Sequence, residues 1–331
     1  MQKEQVIIIG AGPCGMSAAL SLQDKGFDPL IIEKGNITNS IYNYPTHQTF
    51  FSSSDRLEVG NIPFITERKK PVRNQALAYY REVASRRSLR INSFEKVIDV
   101  VRDGDDFIVN TLTSKNENQS YKTKFIVVAT GYYDQPNKMS VKGEDSSHVY
   151  HYFKEAHPFY REKVVVIGGK NSAVDAVLEL HKAEADITVL YRGCDYSKSV
   201  KPWILPEFRA LVEKNEISME FNATIKEITN NEVIYQVNDQ TKTAEASFVF
   251  AMTGYQPDHT FLQSMRVNIE PETGRPAFNM ESMETNVKDI YIAGVIAAGY
   301  NNNEIFIENG RYHGPLIAND IARKIQKSGA V

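Results

Sequence analysis

Cysteine is scarce in this chain: Cys14 and Cys194 are the only two among 331 residues. So few cannot staple a disulfide scaffold, and a reducing cytoplasm is the expected setting. Charge of one sign is also missing. Lys and Arg number 38 against 41 Asp and Glu, a net charge of -3, so a basic face for nucleic acid is not expected. No apolar run approaches the ~18 residues of a membrane helix. The opening apolar run, Val6-Ile7-Ile8-Ile9, is too short for a secretory signal core and reads as a buried strand. No cluster of histidine and cysteine has metal-ligand spacing, so no metal is expected. Low-complexity segments and long flexible linkers are absent as well.

What the chain does contain is an ordinary globular composition, 42% hydrophobic and 24% charged, over a length that suggests two domains. Burying a substantial core is no difficulty at this size. An internal repeat organises it. Val6–Ile9 is followed by a glycine turn, a helical stretch from Met16 to Lys25, and a strand at 29–33. The order recurs as Val164–Ile167, Gly168-Gly169, a helix from Ser172 to Lys182, and a strand at 187–191. Alternating apolar strands and helices predict parallel sheets covered on both faces.

A second pair of segments repeats too. Phe125-Ile126-Val127-Val128-Ala129-Thr130-Gly131 is echoed by Phe248-Val249-Phe250-Ala251-Met252-Thr253-Gly254, each after a polar, strand-rich stretch (97–124 and 223–246) that reads as an antiparallel excursion. Asp289-Ile290-Tyr291-Ile292-Ala293-Gly294 reads as a strand returning to the opening domain. The expected fold is α/β, with two Rossmann-like dinucleotide-binding domains and the second inserted in the first. Residues 1–157 and 258–331 would form one domain and residues 158–257 the other.

The first glycine turn, Gly10-Ala11-Gly12-Pro13-Cys14-Gly15, fits G-x-G-x-x-G. Gly10 permits the tight turn, Gly12 lets backbone approach a pyrophosphate, and Gly15 lets helix pack on strand. The helix N-terminus offers free N–H groups to phosphate. Glu33, 23 residues after Gly10 (33 − 10), suits a ribose hydroxyl, with Lys34 beside it. The bland alternative is a solvated glutamate in an ordinary α/β fold.

The second turn, Gly168-Gly169-Lys170-Asn171-Ser172-Ala173, puts lysine where a second glycine would stand. Tyr191 lies 23 residues after Gly168 (191 − 168), so no carboxylate is there to repel a 2′-phosphate. Arg192 comes next, and Lys198 and Lys201 follow. Arginine's planar, permanently charged donors suit that phosphate. The acid-bearing turn therefore suits FAD and the arginine-bearing turn NADPH; a surface basic loop without a ligand is the alternative.

With these features the chain resembles the two-dinucleotide-domain flavoproteins related to thioredoxin reductase, over nearly its whole length. Within them it is similar to the bacillithiol disulfide reductase family. That likeness rests on Gly12-Pro13-Cys14-Gly15, on Pro45-Thr46-His47-Gln48-Thr49-Phe50-Phe51, on Gly168–Ala173, and on Asn303-Glu304-Ile305-Phe306-Ile307-Glu308-Asn309-Gly310-Arg311. The resemblance implies an NADPH-dependent FAD enzyme that reduces a low-molecular-weight disulfide. It also implies cofactor contacts at Gly131 and Gly294. His47, in a predicted loop with Thr46 and Thr49, is a candidate flavin contact, as is Thr46; a loop histidine with no special role is the alternative. Two departures stand out. Thioredoxin reductases of this size carry a Cys-x-x-Cys pair in the NADPH domain, which this chain lacks. Val295 follows Gly294 where the wider group has aspartate.

Cys14 is then the candidate catalytic residue. At a helix N-terminus its thiolate would be stabilised and its pKa lowered. The resemblance implies that it attacks the substrate disulfide. The alternative is a small residue chosen for packing, beside a pyrophosphate whose charge opposes a thiolate. Cys194 reads as incidental. A small-molecule disulfide is the expected partner, with no nucleic acid and no membrane, for a homo-oligomer. Competing functional readings are a flavin monooxygenase, an electron donor to a carrier such as ferredoxin, and a non-enzymatic nucleotide sensor.

Overall fold

The computed structural model describes residues 1–301 and 303–328. The chain divides into two compact units. Met1–Tyr42, Gln48–Gln135 and the described residues from Gln256 onward form the first; Asn43–His47 and Pro136–Tyr255 form the second.

In the first unit the β-branched run Val6–Ile9 ends strand β1 (Gln2–Ile9), its last four side chains fully sequestered. Helix α1 (Pro13–Gln23) follows, with proline in its first turn, where the missing N–H costs nothing. It buries Met16, Ala18, Ala19, Leu20 and Leu22. Next come β2 (Leu30–Glu33), the short α2 (Asn39–Tyr42), α3 (Arg73–Arg86) and β3 (Arg90–Ser93). The meander β4 (Glu95–Asp103), β5 (Asp106–Thr113) and β6 (Asn118–Val128) completes this stretch.

The second unit starts with β7 (Val149–Tyr150), then β8 (Lys163–Ile167), α4 (Asn171–Lys182), β9 (Asp186–Leu190), α5 (Leu205–Glu213) and β10 (Ser218–Glu220). An antiparallel trio, β11 (Thr224–Ile228), β12 (Glu232–Val237) and β13 (Gln240–Glu245), leads into β14 (Phe248–Ala251). The chain then rejoins the first unit through α6 (His259–Ser264), β15 (Ile290–Ile292), α7 (Ile307–Gly310) and α8 (His313–Ser328).

The first unit's sheet runs β3-β2-β1-β6, all parallel, and then divides along the long β6. Residues 118–123 of β6 pair antiparallel with β5, whereas Ile126–Val128 pair parallel with β15. One strand thus carries both the excursion and the return. In the second unit the order β10-β9-β8-β14-β7 is wholly parallel. Each sheet has its own apolar core, centred on Ile7, Ile126 and Ile292 in one and on Val164, Val177 and Phe250 in the other. Both units are the expected α/β dinucleotide-binding type, one interrupting the other in sequence.

The first crossover lies earlier than residue 157. Val149 and Tyr150 pair with Val249 and Phe250, and Asn137 donates to the Thr253 carbonyl at 3.3 Å, so residues 136–157 pack with the second unit.

Candidate functional site

Both glycine turns sit at the carboxyl ends of parallel strands, where open α/β sheets hold ligands. At Gly10 (φ 109°) a Cβ would lie 2.5 Å from the Ala129 carbonyl oxygen. At Gly15 it would lie 2.1 Å from the Gly10 oxygen, so the helix start and the turn touch backbone to backbone. Gly12 is different: a Cβ there meets nothing within 4 Å, leaving open space over the turn. That space, beside the first-turn N–H groups of α1, fits a pyrophosphate. Gly131 also faces open space, and the buried Thr130 hydroxyl beside it has no hydrogen-bond partner. The residues present therefore fit a dinucleotide.

The second turn repeats this build. Gly168 (φ 142°) would bring a Cβ within 2.5 Å of the Met252 oxygen, the counterpart of Ala129. The two turns differ at the residue contributed by the second strand. Glu33 is buried and accepts from Ala11 N through Oε2 and from Gly35 N through Oε1, both at 2.8 Å. Glu33 was expected at a ribose hydroxyl; here it first fastens its own turn, with a further lone pair remaining on each oxygen. In the other unit the Tyr191 ring lies over Gly169, where a Cβ would come within 2.5 Å of it. A carboxylate and an aromatic ring thus occupy equivalent places, so the second turn carries no acidic group there. Arg192 and Lys198 are exposed beside it.

Lys170 caps α4 with an exposed side chain, and Ser172 is exposed next to it. Asn171 turns away from the loop: its amide donates to Ser199 O at 2.9 Å and its oxygen accepts from Lys201 N at 2.8 Å. It therefore pins the basic loop, a role its place in the motif did not suggest. Lys34 is paired with Asp134, and burial lowers its pKa against the pull of Glu33.

Thr46 and His47 lie in the second unit. Thr46 donates to the Lys154 carbonyl through N (2.9 Å) and Oγ1 (3.3 Å), and His47 Nε2 lies 3.4 Å from Asp175 of α4, its ring edge against Phe153. The bonds to Lys154 hold the segment there.

Cys14 is partly buried between two glycines. A Cβ at either Gly294 or Gly310 would come within 2.9 Å of its Sγ. Burial, aided by the Glu308 carboxylate, pushes the thiol up to about 12. The expected lowering by the helix N-terminus is outweighed by the cost of a thiolate in an apolar slot. Cys194 is exposed. Gly294 is further fixed by donating its N–H to His313 Nδ1 at 3.1 Å, and burial lowers the His313 pKa, keeping that nitrogen an acceptor. His313 thereby braces the turn at Gly294 against the start of α8. Among the described residues no His/Cys/Asp/Glu group could hold a metal ion, and no helix is long and apolar enough to cross a membrane.

Comparison with known proteins agrees with this architecture. The chain is 58% identical over 325 residues to bacilliredoxin reductase Bdr of Bacillus subtilis (strain 168), covering 98% of this chain and 99% of that one. It is similar to the solved bacillithiol disulfide reductase Bdr from Bacillus cereus, with 61% identity, a TM-score of 0.96, and 98% and 100% of the two chains covered. The Staphylococcus aureus bacillithiol disulfide reductase Bdr gives 55% identity and a TM-score of 0.93 over 98% and 99%. Residues 7–294 match the pyridine nucleotide-disulphide oxidoreductase family, and the chain belongs to it.

Proposed function

We propose that this protein is an NADPH-dependent, FAD-containing reductase of a low-molecular-weight disulfide, with bacillithiol disulfide as substrate. The observation that carries the reading is the contrast between two turns of one build: Glu33 at the first and Tyr191-Arg192 at the second. FAD belongs to the first unit, with Gly10, Gly12, Pro13, Gly15, Glu33, Gly131 and Gly294 around it. NADPH belongs to the second, with Gly168 to Ser172, Arg192 and Lys198. The enzyme works in the cytoplasm as a homo-oligomer.

When bound, NADPH supplies a hydride and FAD relays its electrons to the disulfide. The chain's own part is positioning. The α1 N-terminus holds pyrophosphate, and Arg192 with Lys198 discriminates the 2′-phosphate. Thiol exchange at Cys14 is part of the proposal. Its thiolate attacks one substrate sulfur, forming a mixed disulfide and expelling one thiolate, and two electrons then release the second thiol and restore Cys14. Because the structure favours the protonated thiol, Cys14 must give up its proton in the substrate complex.

Rapid mixing tests this. The protein is first reduced with NADPH, which should bleach the flavin, then mixed with bacillithiol disulfide, for wild type and Cys14→Ala. Fast reoxidation in the wild type alone supports both parts. Equal reoxidation in both removes the Cys14 step and leaves the reductase. Reoxidation by oxygen only sinks the reductase reading. The Bacillus subtilis relative is named for bacilliredoxin, which favours a protein disulfide as a second reading. A bacilliredoxin disulfide offered in parallel separates the two by the reoxidation rate.

A further inference from the structure

A cavity of about 470 Å³ opens in the first unit, lined by Arg56, Phe306, Glu308, Asn309, Arg311 and Tyr312. Two of its six residues carry guanidinium groups, and they are held very differently. Arg311 is anchored: Nη1 donates to the carbonyls of Asp55 (3.0 Å) and Glu58 (2.7 Å), and Nη2 donates to the Tyr312 hydroxyl (2.9 Å). Its Nε is buried with no acceptor among the described residues. Arg56 is exposed, and its guanidinium makes no ion pair or hydrogen bond with any described residue. Phe306 and Tyr312 are 40% and 58% exposed, large apolar surface left open beside these charges. Asn309 is spent on the loop itself, accepting from Phe306 N (2.7 Å) and donating to the Glu304 carbonyl (2.8 Å).

The segment that lines this cavity also borders the Cys14 slot. Gly310, between Asn309 and Arg311, is the residue whose Cβ would strike the Cys14 sulfur, and Glu308 is the charge that acts on that thiol. Two arginines against one glutamate leave a net positive site. A guanidinium takes a carboxylate through two parallel hydrogen bonds.

We propose that this cavity binds the carboxylate-bearing arm of the disulfide substrate, with Arg56 as the specificity-determining contact and Arg311 as its fixed companion. The proposal rests on the reductase reading above and adds the residues that select the anionic arm of that disulfide. A cationic disulfide of the same size would meet two guanidinium groups and be refused.

Two measurements test it. Calorimetric titration of the oxidised holoprotein, without NADPH, uses 3,3′-dithiodipropionate and cystamine as probes. The dicarboxylate should bind, cystamine should not, and Arg56→Gln should weaken the dicarboxylate about ten-fold. Arg56→Lys should recover part of the loss. Equal binding of both probes, no binding of the dicarboxylate, or no change in Arg56→Gln overturns the assignment. Arg56 is chosen because Arg311 also ties down the 55–58 backbone. Steady-state reduction of bacillithiol disulfide, an anionic disulfide, should show the Arg56→Gln loss in KM and little in kcat. Binding that behaves as expected with no turnover of any disulfide would sink the reductase reading and leave the cavity. Turnover with KM and binding both unmoved by the substitution would do the reverse.

Discussion

Cys14 should be a nearly inert thiol in the resting protein, and its pH profile gives the measurement. An unperturbed thiol, at its ordinary value of 9.0, is about one-tenth thiolate at pH 8, whereas a thiol pushed up to about 12 is about one ten-thousandth thiolate. The thiolate is the species that alkylates, so Cys14 should react with iodoacetamide about a thousand-fold more slowly on ionisation grounds alone. Partial burial slows it further, but access affects all pH values alike. The shape of the curve therefore isolates ionisation. The Cys14 rate should climb about ten-fold per unit from pH 8 to pH 11 without levelling. Exposed Cys194, resolved by peptide mass spectrometry in the same sample, serves as internal reference. Glu308→Gln removes the smaller of the two causes and should restore only part of the reactivity. The linkage has the same sign: a raised pKa adds stability that is present below pH 9 and is lost as pH rises from 9 through about 12. A Cys14 profile that levels near pH 8, or alkylation as fast as that of Cys194, would refute the burial argument.

Other outcomes follow from the same geometry. Gly15→Ala forces a Cβ to 2.1 Å from the Gly10 oxygen, so the purified protein should lose its flavin, read as the ratio of visible to ultraviolet absorbance. Arg192→Ala should raise KM for NADPH about ten-fold and leave KM for NADH unchanged; equal effects on both would remove the 2′-phosphate role. His313 has a lowered pKa, so its contribution is present above its ordinary value of 6.5 and is lost as pH falls through its folded value. His313→Asn should flatten the fall in melting temperature between pH 6.5 and 5, and an unchanged slope would discount the bond to Gly294.

Much of this was legible in the sequence because the signals are local. Val6–Ile9 and Val164–Ile167 are β-branched runs whose burial follows from their composition, and a glycine turn between strand and helix leaves few alternatives. The 23-residue spacing also read correctly in one respect: Glu33 and Tyr191 do occupy equivalent places. Less local features were hidden. That Glu33 spends its first hydrogen bonds on Ala11 and Gly35 depends on side-chain direction, not spacing. The raised Cys14 pKa is not legible in the sequence because its slot is built by Gly294 and Gly310, 280 and 296 positions later (294 − 14, 310 − 14). Proximity of that kind leaves no periodic trace. The first crossover was displaced because the two-residue strand Val149–Tyr150 is too short to announce itself.

The docking of residues 43–47 on the second unit has a bearing on modularity. The polypeptide passes from one unit to the other four times, at 42/43, 47/48, 135/136 and 255/256. Residues 136–255 are therefore not a self-contained cassette. Cut out or exchanged for a homologous block, they would lose Thr46 from the Lys154 carbonyl and His47 from Asp175 and Phe153. Chimaeras between related reductases should be spliced with both pieces taken from one parent, and a five-residue mismatch is enough to leave that surface of the graft bare.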